Sequence, residues 1–285
     1  MISARFARNA RNTRRSVLFY LLLAAVMGIF LFPFYWGLIT SLKFEVDIYD
    51  FSGNFLVPKH PSLANYTTLF KTPLYFIWFW NTFFVSAVTT IISVIISVMA
   101  GFAIARLRFR GAALAGTLVF ITYLAPKIFL FVPLAQILKD WGLLGGLPAL
   151  MITYPTNLIP FCTWLLMGYF RSIPYELEEC ALIDGATRLQ ILVKIVLPLA
   201  VPGLISAGIF AFTLSWNEFI YALAFISSSE NKTVPVGVLT ELVQGDVYNW
   251  GALMAGALFG SLPVAILYSF FVDYYVASMT GAIKE

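Results

Sequence analysis

Arg171-Ser-Ile-Pro-Tyr-Glu-Leu-Glu-Glu-Cys-Ala-Leu-Ile-Asp-Gly-Ala-Thr-Arg-Leu-Gln-Ile-Leu-Val-Lys-Ile-Val-Leu-Pro-Leu199 lies between long apolar runs. Charges at Glu176, Glu178, Glu179, Asp184, Arg188 and Lys194 forbid a membrane span here. The pattern is helical. Pro174 suits a first helical turn, and Glu176, Glu178 and Glu179 stand where the helix dipole favours anions. Ile173, Leu177, Cys180, Ala181 and Asp184 recur at helical spacing and share one face. Gly185 ends that helix. Thr187, with Gln190 three residues on, is a capping box that opens a second helix. Leu189, Leu192, Val193 and Val196 give the second helix an apolar stripe, and Pro198 stops it. Two short amphipathic helices joined by a glycine turn therefore follow from the residues alone. Their purpose has two readings: a hairpin packed under the rest of the chain, or a knob that docks on a partner.

Around this segment the chain is apolar. Of 285 residues, 60% are hydrophobic and 11% charged, against roughly 25% charged in an ordinary soluble domain. So few charges could not clothe a soluble surface, which excludes soluble enzymes, DNA-binding domains and disordered scaffolds. Charge-free runs cover Ser16–Leu42, Thr72–Ala105, Gly111–Leu138 (interrupted at Lys127), Trp141–Phe170, Ile195–Asn217 (extending past Glu218 to Ile226) and Val247–Val272. A spanning helix needs about 20 such residues. The sequence thus predicts an all-α membrane protein, a single transmembrane domain over residues 1–285. Its six spans fall at about 17–41, 77–104, 113–136, 148–170, 200–226 and 250–276. The first run follows Arg5, Arg8, Arg11, Arg14 and Arg15. It outlasts the about 7–15 residues of a signal-peptide core and reads as an uncleaved span.

Lys and Arg set the orientation. With the N-terminus inside, the cytoplasmic face holds the five tail arginines, Arg106, Arg108, Arg110, Arg171, Arg188, Lys194 and Lys284. The outer face then holds only Lys43, Lys59, Lys71, Lys139 and Lys232. Both termini are therefore placed in the cytoplasm, and the 171–199 loop with them. Cys162, Cys180 and His60 cannot form a Cys/His metal cluster. There is no Walker-type phosphate loop, so nucleotide chemistry must come from another chain.

Glu179-Cys180-Ala181, three residues, Gly185, nine residues and Ile195-Val196-Leu197-Pro198 resembles the EAA loop of ATP-binding-cassette (ABC) importer permeases, whose pattern is EAA-x3-G-x9-I-x-LP. Cys180 replaces the central alanine, and both are small. Asn65-Tyr66, Ala105-Arg106, Phe109-Arg110-Gly111, Trp216-Asn217-Glu218 and the tail Thr280-Gly281-Ala282-Ile283-Lys284 resemble the maltose-type, carbohydrate-uptake branch. The likeness covers nearly the whole chain. It implies a type I importer permease fold in the bacterial inner membrane and a multi-pass transport subunit that is not an enzyme. The implied partners are a second permease, with a heterodimer favoured, two cytoplasmic ABC ATPases that bind ATP and Mg, and a periplasmic solute-binding protein; this chain itself holds no cofactor. The resemblance assigns ATPase coupling to Glu179, Cys180, Ala181, Asp184 and Gly185. Glu179 as a solvated first-turn residue, and Asp184 as a cap of the second helix, are the plainer alternatives.

Polar groups and helix breaks at membrane depth tend to face an interior or a cavity. They mark Tyr123, Pro126 and Lys127 in span three, Tyr154, Pro155, Asn157 and Pro160 in span four, and Trp216, Asn217 and Glu218 in span five as candidates for a translocation path. Lys127 has two readings: a residue snorkelling from the outer third, or a cation for an acidic sugar derivative. Glu218 reads as structural, bonding across spans or gating, and Asp273 as an interfacial carboxylate. Trp78, Trp80, Trp141 and Trp250 fall near outer span ends and read as interfacial belt residues. The outer loop 227–249 carries Glu230, Glu241 and Asp246 and is either a contact for the binding protein or a solvated loop. The expected substrate is a carbohydrate or a sugar derivative, with another solute class such as polyamines or amino acids as the alternative. A membrane enzyme would need titratable clusters that the spans lack, and a secondary transporter would have no purpose for the EAA loop.

Overall fold

The computed structural model describes residues 2–50, 56–71, 73–244 and 247–281, with side chains for 16–50, 56–71, 73–242 and 249–272. Ala282, Ile283, Lys284 and Asp246 lie outside the described residues, as do the side chains of the tail arginines up to Arg15 and of Asp273. In chain order the helices begin with α1 (Ile2–Ser41), α2 (Glu45–Ile48), α3 (Ala64–Lys71), α4 (Pro73–Arg106), α5 (Ala112–Leu124) and α6 (Ile128–Asp140). Next come α7 (Leu147–Thr153), α8 (Pro155–Ser172), α9 (Glu176–Ile183), α10 (Arg188–Ile191), a π-helical turn (Leu192–Val196) and α11 (Leu197–Leu199). The chain closes with α12 (Val201–Trp216), α13 (Ile220–Phe225), α14 (Val234–Glu241), β1 (Val243–Gln244), β2 (Val247–Tyr248) and α15 (Trp250–Gly281). It divides into two compact units: Met1–Lys71 with Leu242–Leu258, and Thr72–Glu241 with Phe259–Glu285.

In the first unit, Ser16–Ser41 of α1 is a 26-residue apolar stretch whose side chains stay exposed as far as Trp36, as expected of groups that face lipid tails. The end of α1 is held by α3. Asn65 Nδ2 donates to the carbonyls of Ser41 (2.9 Å) and Lys43 (2.8 Å), satisfying groups that a helix end leaves open. The Tyr66 hydroxyl lies 2.9 Å from Ser41 Oγ. Gly251 permits this arrangement, since a Cβ there would fall 2.3 Å from the Asn65 amide. The strands β1 and β2 form a small antiparallel hairpin.

In the second unit, α4 is the axis, 34 residues or about 51 Å long. Thr82, Ser86, Thr89, Ser93, Ser97 and Gly101 lie buried along one of its faces. Small residues at such spacing let helix backbones approach in a membrane, and α4 packs chiefly on α8 and α12. Thr89 Oγ1 meets Ser215 Oγ at 2.9 Å, and Ser97 Oγ donates to the Ile159 carbonyl at 3.0 Å. That carbonyl precedes Pro160, whose ring disturbs the ladder locally.

The chain breaks inside two of the six expected spans. Ser16–Ser41, Pro73–Arg106, Leu147–Ser172 and Trp250–Val272 are long and apolar enough to cross a membrane, and two bent pairs raise the number to six if each is one span. The segment expected as one span over 113–136 is two helices, α5 and α6, bent by 92°. Pro126 explains it: the residue before a proline is pushed from helical to extended backbone, and Ala125 has φ −65 and ψ 128. The segment expected over 200–226 also breaks, at 217–219 between α12 and α13. There the Glu218 side chain takes the first N–H groups of α13. Pro198 does not stop its helix. The π turn places it in the first turn of α11, where its missing N–H costs nothing, and the bend of 81° comes at the junction with α12.

Trp78 is not a belt residue. It is 1% exposed, its Nε1 donates to the Ser229 carbonyl at 2.7 Å, and it packs on Gly237, where a Cβ would fall 2.3 Å from the indole. Trp80 and Trp141 are exposed as a belt requires.

Candidate functional site

The 171–199 segment folds as the two-helix hairpin its pattern predicts. Glu176, Glu178 and Glu179 form the first turn of α9. Gly185 has φ +83, a left-handed backbone that favours glycine. Its N–H donates to the Leu182 carbonyl (3.1 Å) and the Ala186 N–H to the Ala181 carbonyl (2.9 Å), the paired bonds of a Schellman cap. Thr187 and Gln190 make the reciprocal capping box at the start of α10. Asp184 is therefore the C-cap of the first helix, just past Ile183, and does not cap the second; Thr187 does.

The hairpin's orientation differs from a simple apolar-inward rule. Ile173, Ile191, Leu192 and Val196 are buried, but so is Glu178. Leu177, Cys180 and Asp184 face outward with Glu179 and Gly185, while Ala181 is partly buried. Ile183 is 86% and Leu189 67% exposed, so the outer surface carries uncovered apolar side chains beside the acidic ones. Exposed apolar surface rimmed by polar groups marks an interaction site.

Glu178 is the residue the sequence did not single out. One of its carboxylate oxygens lies 2.5 Å from Arg106 Nε and the other 3.9 Å from an Arg188 guanidinium nitrogen. Arg106, expected as a loop charge, is 2% exposed. The only advance signal was the pairing of one acid within α9 with an arginine at a span end.

The second group lies where the bent spans break. Lys127, Tyr154, Asn157 and Glu218, with Tyr123, Ser215 and Tyr221, line a cavity of about 80 Å³. Lys127 Nζ is 3.8 Å from Glu218 Oε1, with side chains 35% and 5% exposed. Glu218 Oε2 accepts the N–H groups of Tyr221 (3.0 Å) and Ala222 (3.2 Å), and the Tyr221 hydroxyl donates to the Lys127 carbonyl at 3.2 Å. The two breaks are thus fastened to each other. Trp216 and Asn217 are not part of this cavity. Trp216 is buried, donates to the Gly260 carbonyl at 2.9 Å and stacks on Phe212. Asn217 is exposed and donates to the Thr213 carbonyl at 2.9 Å. A larger hollow, about 970 Å³, opens between α5, α8 and α12 near Phe120, Trp164, Tyr169 and Pro202 and holds none of the candidate residues.

At the other end of α4 from the 171–199 hairpin, Glu241 bonds to Lys232 and Ser229. The hydrogen bonds from Lys232 and then Ser229 hold its carboxyl below the usual value. A depressed carboxylate contributes stability that is present above its unfolded value, about 4.3, and is lost as pH falls through the lower folded value. The melting temperature of wild type should therefore exceed that of Glu241→Gln at pH 7, and the gap should close as pH is lowered below about 4. Melts that stay equally far apart at pH 3 would show that Glu241 acts by something other than its charge.

A helical membrane protein whose spans break at polar residues, with an outward-facing hairpin of this spacing, has the architecture of an importer permease. The chain matches the family described as binding-protein-dependent transport system inner membrane component over residues 93–281. It is 38% identical to the sulfoquinovosyl glycerol transport system permease protein SmoH of Agrobacterium fabrum, over 89% of each chain. It is 36% identical to the inner membrane ABC transporter permease protein YcjP of Escherichia coli, over 98% of this chain and 99% of that one. It is 34% identical to the trehalose/maltose transport system permease protein MalG of Thermococcus litoralis, over 89% and 91%. Its fold is that of a chain from a bacterial ABC transporter involved in the import of the acidic polysaccharide alginate, with a TM-score of 0.75 at 24% identity over 92% of this chain and 98% of that one. The chain belongs to the family of binding-protein-dependent transport system inner membrane components. It is a transport subunit of an ABC importer, an inner-membrane protein and not an enzyme.

Proposed function

We propose that this chain moves a carbohydrate or sugar derivative, acidic ones included, across the membrane in an ATP-driven importer. The observation that carries the reading is the hairpin, whose two caps hold Glu179, Cys180, Asp184 and Gly185 on an uncovered surface with Ala181 half-buried beneath them. In this reading that surface seats in a cytoplasmic ATPase, one of two, which bind ATP and Mg. Both termini lie inside, six spans cross the membrane, and a second, different permease completes the path. A periplasmic binding protein delivers the solute. Sugar transport is supported by relatives named for sulfoquinovosyl glycerol and for trehalose/maltose. Lys127, Tyr154, Asn157 and Glu218 supply polar and aromatic groups suited to sugar hydroxyls and C–H faces. Trp216 and Asn217 contribute by shaping the break in the fifth span.

The test is ATP hydrolysis by the complex purified through this subunit and reconstituted in liposomes with its binding protein. Maltose, trehalose, glucuronate, sulfoquinovosyl glycerol, spermidine and methionine are added singly. One sugar should stimulate hydrolysis about tenfold and be taken up. Stimulation by spermidine or methionine alone would overturn the carbohydrate assignment, and absence of any co-purifying ATPase would overturn the coupling reading.

A further inference from the structure

An ATPase that displaces the hairpin moves solute only if the displacement reaches the membrane. The residues that join the hairpin to the bundle are unusual for a surface loop. Arg106, the last residue of α4, has a guanidinium with no exposed surface. Its Nε faces Glu178 of α9 at 2.5 Å, and its Nη2 donates to the Ile173 carbonyl at 2.7 Å. The guanidinium carbon stands 4.0 Å from the Tyr175 ring centre, and Arg108 stands 4.2 Å from the same ring. The Tyr175 hydroxyl donates back to the Ala105 carbonyl at 2.8 Å. Glu178 also faces Arg188 at the start of α10, so one carboxylate is shared between the end of α4 and the second hairpin helix.

Such a joint is a costly way to hold a loop. Two charges taken from water carry a desolvation penalty, and an apolar pair of the same bulk often serves stability as well. What this joint adds is direction: Nη2 bonded to the Ile173 carbonyl and the guanidinium set over the Tyr175 ring fix the orientation of the arginine as well as its distance from Glu178. The opposite end of α4 is fastened by hydrogen bonds to backbone groups. Trp78 Nε1 donates to the Ser229 carbonyl, Asn81 Nδ2 to those of Glu230 (2.7 Å) and Lys232 (3.0 Å), and the Val234 N–H to Thr82 Oγ1 (2.8 Å). Between these fastenings α4 is unbroken and has no interior proline. Its chief partner α8 has Pro160 inside it, and the chain breaks at 125–127 and 217–219, just past α5 and α12, which also pack on α4.

We propose that α4 is a rigid rod that carries displacement of the hairpin to the loop at its far end, with Arg106 and Glu178 as the joint. Both are positioning residues, acting on transport through the helix they fasten. The inference rests on the reading that the hairpin meets the ATPase.

The experiment uses the full complex in liposomes. Arg106→Met with Glu178→Met removes both charges together and keeps the bulk, so neither partner is left buried alone. The double variant should keep its ATPase and hydrolyse ATP at the basal rate within about twofold, while solute moved per ATP falls at least tenfold. Arg106→Lys, which keeps the charge but not the fork, should fall between wild type and the double variant. A joint that merely supported the fold would not change the solute-to-ATP ratio. An unchanged ratio in the double variant overturns the proposal, and so does loss of the ATPase from the complex, which would make the pair part of the docking surface. Gly185→Arg run alongside separates the premises: if it keeps its ATPase and transports normally, the docking reading falls whatever the joint does.

Discussion

Gly185→Arg is expected to abolish ATP-coupled import, at least tenfold below wild type, while the protein still inserts in the membrane. The argument has two parts that a second variant separates. The first is backbone strain. At φ +83 any side chain meets the left-handed penalty, about 1–2 kcal/mol. That penalty falls on the turn that makes the Schellman bonds from Gly185 and Ala186. The second is occlusion. No atom lies within 4 Å of where a Cβ would sit, so the position is open in the isolated chain. A long cation there blocks only a surface that something else must occupy. Gly185→Ala carries the strain without the bulk, so it should lower import no more than about threefold. ATPase co-purification and uptake in vesicles read both effects. If Ala and Arg are equally damaging, strain in the hairpin is the cause and the surface need not dock.

What was legible in the sequence was local. Gly185, Thr187 and Gln190 act on backbone within four residues of themselves, and the structure forms both caps where the pattern put them. The apolar runs were legible because every backbone group in a bilayer must be satisfied within its own segment. What was not legible depended on distant partners. Glu178 has the same first-turn setting as Glu176 and Glu179; only Arg106, on another helix, decides which of the three turns inward. Trp78 stands near a span end like Trp80, and only Gly237, far along the chain, makes room to bury it. The stripe from Thr82 to Gly101 recurs at helical spacing and was a usable signal for a packing face. Pro126 reads in the sequence as a helix break at membrane depth, but within one span; its effect on Ala125 makes that span two helices.

The Lys127–Glu218 pair distinguishes a substrate cation from a structural one. Each charge placed alone at membrane depth costs about 2.5–3.5 kcal/mol, and here the two are unequally supported. Glu218 keeps two backbone N–H donors whether or not Lys127 is present. Lys127 has Glu218 as its counter-charge at 3.8 Å, is about one-third exposed and lines the cavity. Lys127→Met should therefore insert and assemble at wild-type level, whereas Glu218→Ala should lose most assembled protein. The latter strips the start of α13 of its acceptor, at about 1–3 kcal/mol for the orphaned donors, and strands the lysine as well. Glu218→Gln with Lys127→Met removes both charges and keeps an acceptor for α13, so its assembly should recover relative to Glu218→Ala. Transport then reads the function. If Lys127 meets an acidic group on the solute, Lys127→Met should lower uptake of an acidic sugar at least tenfold and of a neutral one far less. Equal uptake of both by Lys127→Met would leave the lysine a snorkelling residue, with Glu218 holding the helix break alone.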